Sequence, residues 1–219
     1  MNSPRICAVI TSPDVEIIRQ AEPIVDLFEL RLDLLGTSWE AVVPFIRKPW
    51  IATNRLKAEG GAWEGSEETR FNELLKAIDL GADIVDIELA SPCLDEIVSQ
   101  IKRHAKCLIS HHDMIGTPPF PHLKKVIEDE LAAGADICKV VTTAHNTMDN
   151  QGVLELIKTF RPAQISAFAM GPHGQLSRIL CPLCGGCFTY AALDHASASA
   201  SGQFTAAQMR SLYELLKYD

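Results

Sequence analysis

No stretch of this 219-residue chain stays apolar over the ~18 positions that a membrane-crossing helix requires, and the N-terminus carries no hydrophobic leader. A soluble, cytoplasmic protein is expected. Positive charge is scarce as well: 20 lysines and arginines face 28 aspartates and glutamates, giving a net charge of -8 at pH 7. Without clustered Lys and Arg a nucleic-acid surface is excluded, although a few arginines inside one pocket would still suit a small anionic substrate. No Gly-rich phosphate fingerprint follows the first apolar run, which argues against an open, doubly wound nucleotide-binding sheet. Nor does any Pro- or Gly-rich linker divide the chain, so residues 1–219 read as one domain. The cysteines do not make up an even set. There are seven, and Cys7, Cys93, Cys107 and Cys138 fall in or beside core-like segments, as reduced thiols of a cytosol do.

What the chain does have is a 47% hydrophobic composition, enough for one large core. Apolar, β-rich runs recur at 5–10, 24–33, 50–56, 84–89, 107–112, 137–143, 165–170 and 188–193, with helical-period stretches such as 67–80, 94–104, 123–133, 153–160 and 206–217 between them. Gly81 and Gly134 each open a Gly-Ala-Asp at the end of such a stretch, where glycine serves as a left-handed helix cap. Eight strands alternating with helices predict a (β/α)8 barrel, whose chemistry sits where strands end.

The sixth run carries an anomaly, Lys139 in the middle of Ala-Asp-Ile-Cys-Lys-Val-Val-Thr-Thr. A buried ammonium is costly unless it is paired or gives up its proton. One reading is a nucleophilic amine that forms a Schiff base with a carbonyl substrate; the other is a lysine that snorkels from a strand end or pairs with an acid such as Asp136.

The other strand ends supply polar groups. Period-two alternation places Glu29, Arg31 and Asp33 on one face of strand two, either as an ion-pair network or as ligand contacts. Arg55 ends strand three, and Glu59 follows in a loop loosened by Gly60 and Gly61, placed to orient a histidine or simply solvated. Asp86 and Glu88 on strand four are expected to balance Lys139 electrostatically from behind. At the end of strand five His112 shares parity with Ser110 while His111 points away, so His112 suits proton transfer; a core histidine or a metal ligand are the other readings. After strand seven Arg178 can clamp a carboxylate or lie on a helix surface. After strand eight Ser199, inside the Ser- and Gly-rich stretch 196–202, and Gln203, just past it, sit on a lid or a plain connector.

Taken together these residues resemble type I 3-dehydroquinate dehydratase. The likeness runs from Glu29 to Gln203 and rests on Glu29-Leu-Arg31, Arg55-x-x-x-Glu59-Gly-Gly, Ser110-His-His112-Asp113 with Thr117-Pro118, Gly134-Ala-Asp-Ile-Cys-Lys139, Ser177-Arg178 and Ser199-Ala-Ser-Gly-Gln203. The resemblance implies a (β/α)8 hydro-lyase of the shikimate pathway that needs no metal or other cofactor, is usually a homodimer, and converts 3-dehydroquinate to 3-dehydroshikimate by syn elimination. By position it implies Lys139 as the Schiff-base lysine, His112 as general acid/base and Glu59 as the acid that hydrogen-bonds it. Glu29, Arg31 and Arg55 would hold the ring hydroxyls and polar edge, Arg178 the carboxylate, and Ser199 and Gln203 the lid contacts.

Two features depart from that pattern. Cys181-Pro-Leu-Cys-Gly-Gly-Cys187 is a thiol cluster foreign to the family, able to bind zinc only if His173 or His195 joins it. The first strand also opens as early as Arg5, so a hairpin plugging the barrel bottom in longer relatives is expected to be missing. The competing readings are a class I aldolase or transaldolase on the same barrel, which would place phosphate-binding glycines after strands seven and eight, and a non-catalytic barrel binding metal or a partner through its cysteines.

Overall fold

The structure, a computed structural model, describes residues 3–196 and 199–217. Strand and helix alternate along it: β1 (Ile6–Ile10), α1 (Val15–Ala21), β2 (Leu27–Arg31), the short α2 (Leu32–Leu35) and α3 (Trp39–Val42), β3 (Trp50–Thr53), α4 (Glu67–Asp79), β4 (Ile84–Glu88), α5 (Leu94–Ile101), β5 (Lys106–His112), α6 (Phe120–Ala132), β6 (Ile137–Thr143), α7 (Asp149–Thr159), β7 (Ile165–Met170), α8 (Gln175–Leu183), β8 (Thr189–Ala192) and α9 (Ala206–Leu215). Every ladder is parallel, in the order β7-β6-β5-β4-β3-β2-β1-β8. The two ends of the sheet meet without a full ladder among the described residues. Cys187 donates its N–H to the Ile165 carbonyl at 2.8 Å, and Ser166 Oγ donates to the Phe188 carbonyl at 2.9 Å. The result is a nearly closed (β/α)8 barrel, as the alternation predicts.

Strands buried on both faces explain the continuous β-branched runs. Outward residues such as Phe28, Leu30, Ala52, Val85, Ile87 and Ile109 pack under the helices. Inward, Leu27, Ile51, Ile84, Leu108, Ile137 and Phe188 fill the barrel toward the strand N-termini, an apolar floor beneath the polar layer. An aspartate pins three strand pairs at that end. Asp26, Asp83 and Asp136 each accept a backbone N–H from the first or second residue of the preceding odd strand, Ile6, Trp50 and Cys107, at 2.8–2.9 Å. Gly81 and Gly134 stand at φ +101° and +93° and close α4 and α6 as expected, with Ala82 N–H reaching back to the Ala77 carbonyl and Ala135 N–H to that of Glu130.

Strand two departs from its expected length. It stops at Arg31, and Asp33 lies in the first turn of α2 rather than on the strand face. The two still meet, because Arg31 donates to both Asp33 oxygens at 2.8 and 2.7 Å, so the pairing that strand parity predicted arises from a strand-to-helix turn instead. Strand three likewise ends at Thr53, leaving Asn54 and Arg55 beyond the ladder.

Candidate active site

Above the apolar floor the inner faces of β2 to β6 carry charge. Lys139, 4% exposed, is level with Ser110 of β5 and Ser166 of β7. Its Nζ lies 2.9 Å from Asp86 Oδ2 and 3.2 Å from Glu29 Oε1, and 4.2 Å from the centre of the Tyr190 ring. Of the two ways to bury an ammonium, this structure shows pairing. The partner is not Asp136, which sits at the strand N-terminus and faces Lys102 at 2.9 Å.

Asp86 serves two cations, since Arg55 Nη2 stands 2.6 Å from the same Oδ2. Burial works to raise its pKa, but Arg55 and Lys139 outweigh that and hold the carboxyl well below the usual range. Ser110 Oγ donates to Asp86 Oδ1 at 2.7 Å and accepts from Arg55 Nη1 at 2.7 Å. Arg55 also meets Glu88 at 2.9 Å, and Glu88 is held from behind by Arg70 of α4 at 2.5 Å. A chain of alternating charge thus runs from Lys139 through the barrel wall into α4.

The loop after β3 brings Glu59 to His112. Glu59 Oε2 lies 2.8 Å from His112 Nδ1 and accepts the His112 backbone N–H at 3.1 Å. An oxygen already accepting one N–H favours the tautomer with Nδ1–H donating to it as well, which leaves the Nε2 lone pair for the cavity. Burial, reinforced by the Arg55 and Lys139 charges, pushes the His112 pKa well below its ordinary value. Burial also lifts Glu59 to about 7, against the lowering pull of Arg55.

Arg178, on the first turns of α8, is 1% exposed and stacks over Phe168 at 4.6 Å. Its Nε and Nη2 have no protein partner among the described residues, and burial lowers its pKa to about 10. A buried guanidinium without a counter-ion is a site for an anion. The preceding Ser177 fixes α8 against the strand end, accepting from Ala169 N–H and donating to the Gly174 carbonyl, each at 2.8 Å. Gln203 Oε1 accepts from Ser199 N–H at 2.9 Å and Ser199 Oγ at 3.2 Å, a four-residue link within the segment after β8.

All nine residues singled out from sequence, Glu29, Arg31, Arg55, Glu59, His112, Lys139, Arg178, Ser199 and Gln203, line one cavity of about 490 Å3 at the C-terminal ends of the strands. Asp86 is more than electrostatic background, because it touches Lys139 directly. Glu88 instead belongs to Arg55 and Arg70. Sequence alone does not single out Tyr190 or Arg70. Tyr190 has a signal in the inward parity it shares with Phe188, whereas nothing in the sequence distinguishes Arg70 from any helix-surface arginine. Thr117 ties the loop after β5 to β6 through the Thr142 hydroxyl at 2.8 Å and the Thr143 carbonyl at 3.0 Å. Cys181, Cys184 and Cys187 are free thiols at the far end of the barrel, and among the described residues no group of three or more His, Cys, Asp or Glu is arranged to hold a metal.

Comparisons with known proteins bear on the family and the fold. A family model described as Type I 3-dehydroquinase matches residues 6–219. A 3-dehydroquinate dehydratase from Dehalococcoides mccartyi is 46% identical over 219 residues, covering 100% of this chain and 98% of its own. One from Methanosarcina barkeri is 37% identical over 228 residues, covering 97% and 94%. Among solved structures, the type I 3-dehydroquinate dehydratase of Clostridium difficile with covalently modified comenic acid superimposes with a TM-score of 0.85 at 25% identity, covering 99% of this chain and 93% of its own.

Proposed function

The chain belongs to the type I 3-dehydroquinase family, hydro-lyases of the shikimate pathway that convert 3-dehydroquinate to 3-dehydroshikimate through a lysine Schiff base, and we propose that Lys139 is the lysine used here. Membership removes the aldolase and the non-catalytic barrel as readings. The observation that carries the assignment is a buried strand lysine facing the same cavity as a neutral histidine and an unpaired arginine.

The Lys139 amine attacks the substrate ketone once its extra proton has left, and loss of water from the adduct gives a protonated iminium. Asp86 and Glu29, which face the ammonium, face the same positive nitrogen in the iminium, so they match both charged states. The iminium acidifies the α-carbon. His112 Nε2 takes the α-proton, the electron pair forms an enamine, and the enamine expels the β-hydroxyl. That hydroxyl takes the proton back from His112 and departs as water. A histidine whose charged form is disfavoured by burial is a strong acid once protonated, which suits the return step. Water then hydrolyses the product iminium, freeing the lysine and the enone.

The other groups position. Arg178 brings to the cavity a buried guanidinium whose Nε and Nη2 have no protein partner among the described residues, and it suits the substrate carboxylate. Arg31, Arg55 and Glu29 suit the ring hydroxyls, and Ser199 with Gln203 suits closure over them. We read the chain as one barrel domain working as a cytoplasmic homodimer, a state carried by the family. Seven free cysteines fit a reducing compartment, and no described helix is long and apolar enough to cross a membrane. The assay is growth of the enone absorbance on adding 3-dehydroquinate. Lys139→Met should abolish it, and a Lys139→Met variant with undiminished turnover would remove the assignment.

A further inference from the structure

Two carboxylates and one aromatic ring surround the Lys139 nitrogen. Asp86 Oδ2 lies 2.9 Å from Nζ and Glu29 Oε1 3.2 Å, and Nζ stands over the face of the Tyr190 ring, 4.2 Å from its centre. Lys139 and Tyr190 are each 4% exposed, so this contact is made away from water. Tyr190 belongs to β8, and two neighbours set the plane of its ring. Phe168 of β7 is tilted against it by 52° at 5.7 Å between centres, and Phe188 meets it edge-to-face at 71° and 5.4 Å. The Tyr190 hydroxyl is buried without a hydrogen-bond partner among the described residues, so what the side chain offers Lys139 is the ring face.

Hydrogen counting separates the ring from the carboxylates. An ammonium has three N–H donors, and Asp86 and Glu29 take two of them. When Lys139 condenses with a ketone, two hydrogens leave with the ketone oxygen as water, and the iminium that forms keeps the positive charge but only one N–H. One of the two carboxylate hydrogen bonds is therefore lost while the charge stays. A ring face needs no hydrogen. It attracts a cation through the negative potential above its carbons, and most strongly where water is excluded.

Resting on Lys139 as the nucleophile, we propose that the Tyr190 ring holds the iminium by its charge, making up for the hydrogen bond that the nitrogen gives up on condensation. Tyr190 is then a further residue of the reaction and not only a wall of the cavity. Position 190 requires an electron-rich aromatic face, which an aliphatic side chain of equal bulk does not supply.

The test uses the full chain with position 190 occupied by phenylalanine or by its 4-fluoro, 3,5-difluoro or 3,4,5-trifluoro form, placed there by stop-codon read-through. Fluorine leaves the shape of the ring nearly unchanged and drains the negative potential from its face. Each protein is brought to equilibrium with 3-dehydroquinate over a range of concentrations and pulsed with borohydride, and the fraction of chains reduced at Lys139 is read by mass and peptide mapping. The concentration giving half-maximal adduct should rise with each fluorine, by about tenfold from phenylalanine to the trifluoro ring, while melting temperatures follow no such order. A half-maximal concentration that stays flat or falls along the series overturns the proposal, because a ring that only packs responds to shape. The unaltered protein distinguishes the two failures: no adduct on Lys139 there removes both the nucleophile and the role of Tyr190, whereas an adduct on Lys139 with a flat series removes the role of Tyr190 alone. If a phenylalanine-based chain does not fold, 3,5-difluorotyrosine against tyrosine at position 190 makes the same comparison with the hydroxyl kept.

Discussion

Nδ1 of His112 stands 2.8 Å from Glu59 Oε2, and that same oxygen takes the His112 backbone N–H. One carboxylate oxygen therefore fixes both the ring and the strand end that carries it. With Glu59 lifted to about 7 by burial, its ionised form, the one that orients His112 as a base, is gained as pH rises through neutrality. The expected kcat/KM profile climbs through about pH 7 on its acidic side. Glu59→Gln should remove that limb and lower kcat by roughly 10–100-fold, less than the ~10²–10⁴ of an acid–base group itself. An unchanged profile in Glu59→Gln would separate Glu59 from the base.

The same pair makes opposite contributions to stability. Glu59 has a folded pKa above its unfolded value, so its contribution is fully present below about pH 4.5 and is lost as pH rises through about 7. His112 has a folded pKa below its unfolded value, so its contribution is present above about pH 6.5 and is lost as pH falls. Glu59→Gln should accordingly raise the melting temperature relative to the unaltered protein at pH 8 and have little effect at pH 5. Thermal melts at the two pH values check this. A variant equally destabilised at both would show that Glu59 is held for packing.

Arg178 presents a charge buried without a counter-ion, which costs stability until an anion arrives. Arg178→Met should leave the free protein as stable as before or more so. It should also raise KM by about 10–100-fold, the ~1.5–3 kcal/mol of a hydrogen bond to a charged group. Kinetics and melts on one preparation measure both. A fall in stability with KM unchanged would make Arg178 a structural residue.

Arg70 and Glu88 are the fold's most deeply buried ion pair among the described residues, each side chain 1% exposed. Removing one partner of such a pair costs up to about 3–5 kcal/mol, and less than that here because Glu88 keeps Arg55 at 2.9 Å. Arg70→Met should lose stability accordingly in denaturant titrations, and Arg70→Met with Glu88→Gln should recover much of it. Strict additivity of the two losses would contradict the coupling.

How much of this the sequence discloses depends on where each residue sits. Lys139 is conspicuous because it interrupts a β-branched run, and the strand periods put Glu29, Ser110 and His112 on the inner face without any structure. Asp33 shows the limit: alternation assigns it to a strand that has already turned into α2, and only the turn's geometry brings it back to Arg31. Arg70 is hidden because Glu-Glu-Thr-Arg-Phe-Asn-Glu reads as an ordinary amphipathic helix start, and its inward rotation follows from α4 packing on the barrel. Asp136 misleads in the other direction. It is three residues from Lys139, yet strand pleating and its hold on the Cys107 N–H send it to the opposite end of the barrel.

Whether Lys139 forms the imine is tested most directly by mixing the protein with 3-dehydroquinate and borohydride and measuring intact mass, followed by peptide mapping, against a sample without substrate. One reduced adduct of the ligand's mass is expected, confined to the peptide bearing Lys139 and missing in Lys139→Met. An adduct on another lysine, or none on folded and active protein, would rule Lys139 out as the nucleophile.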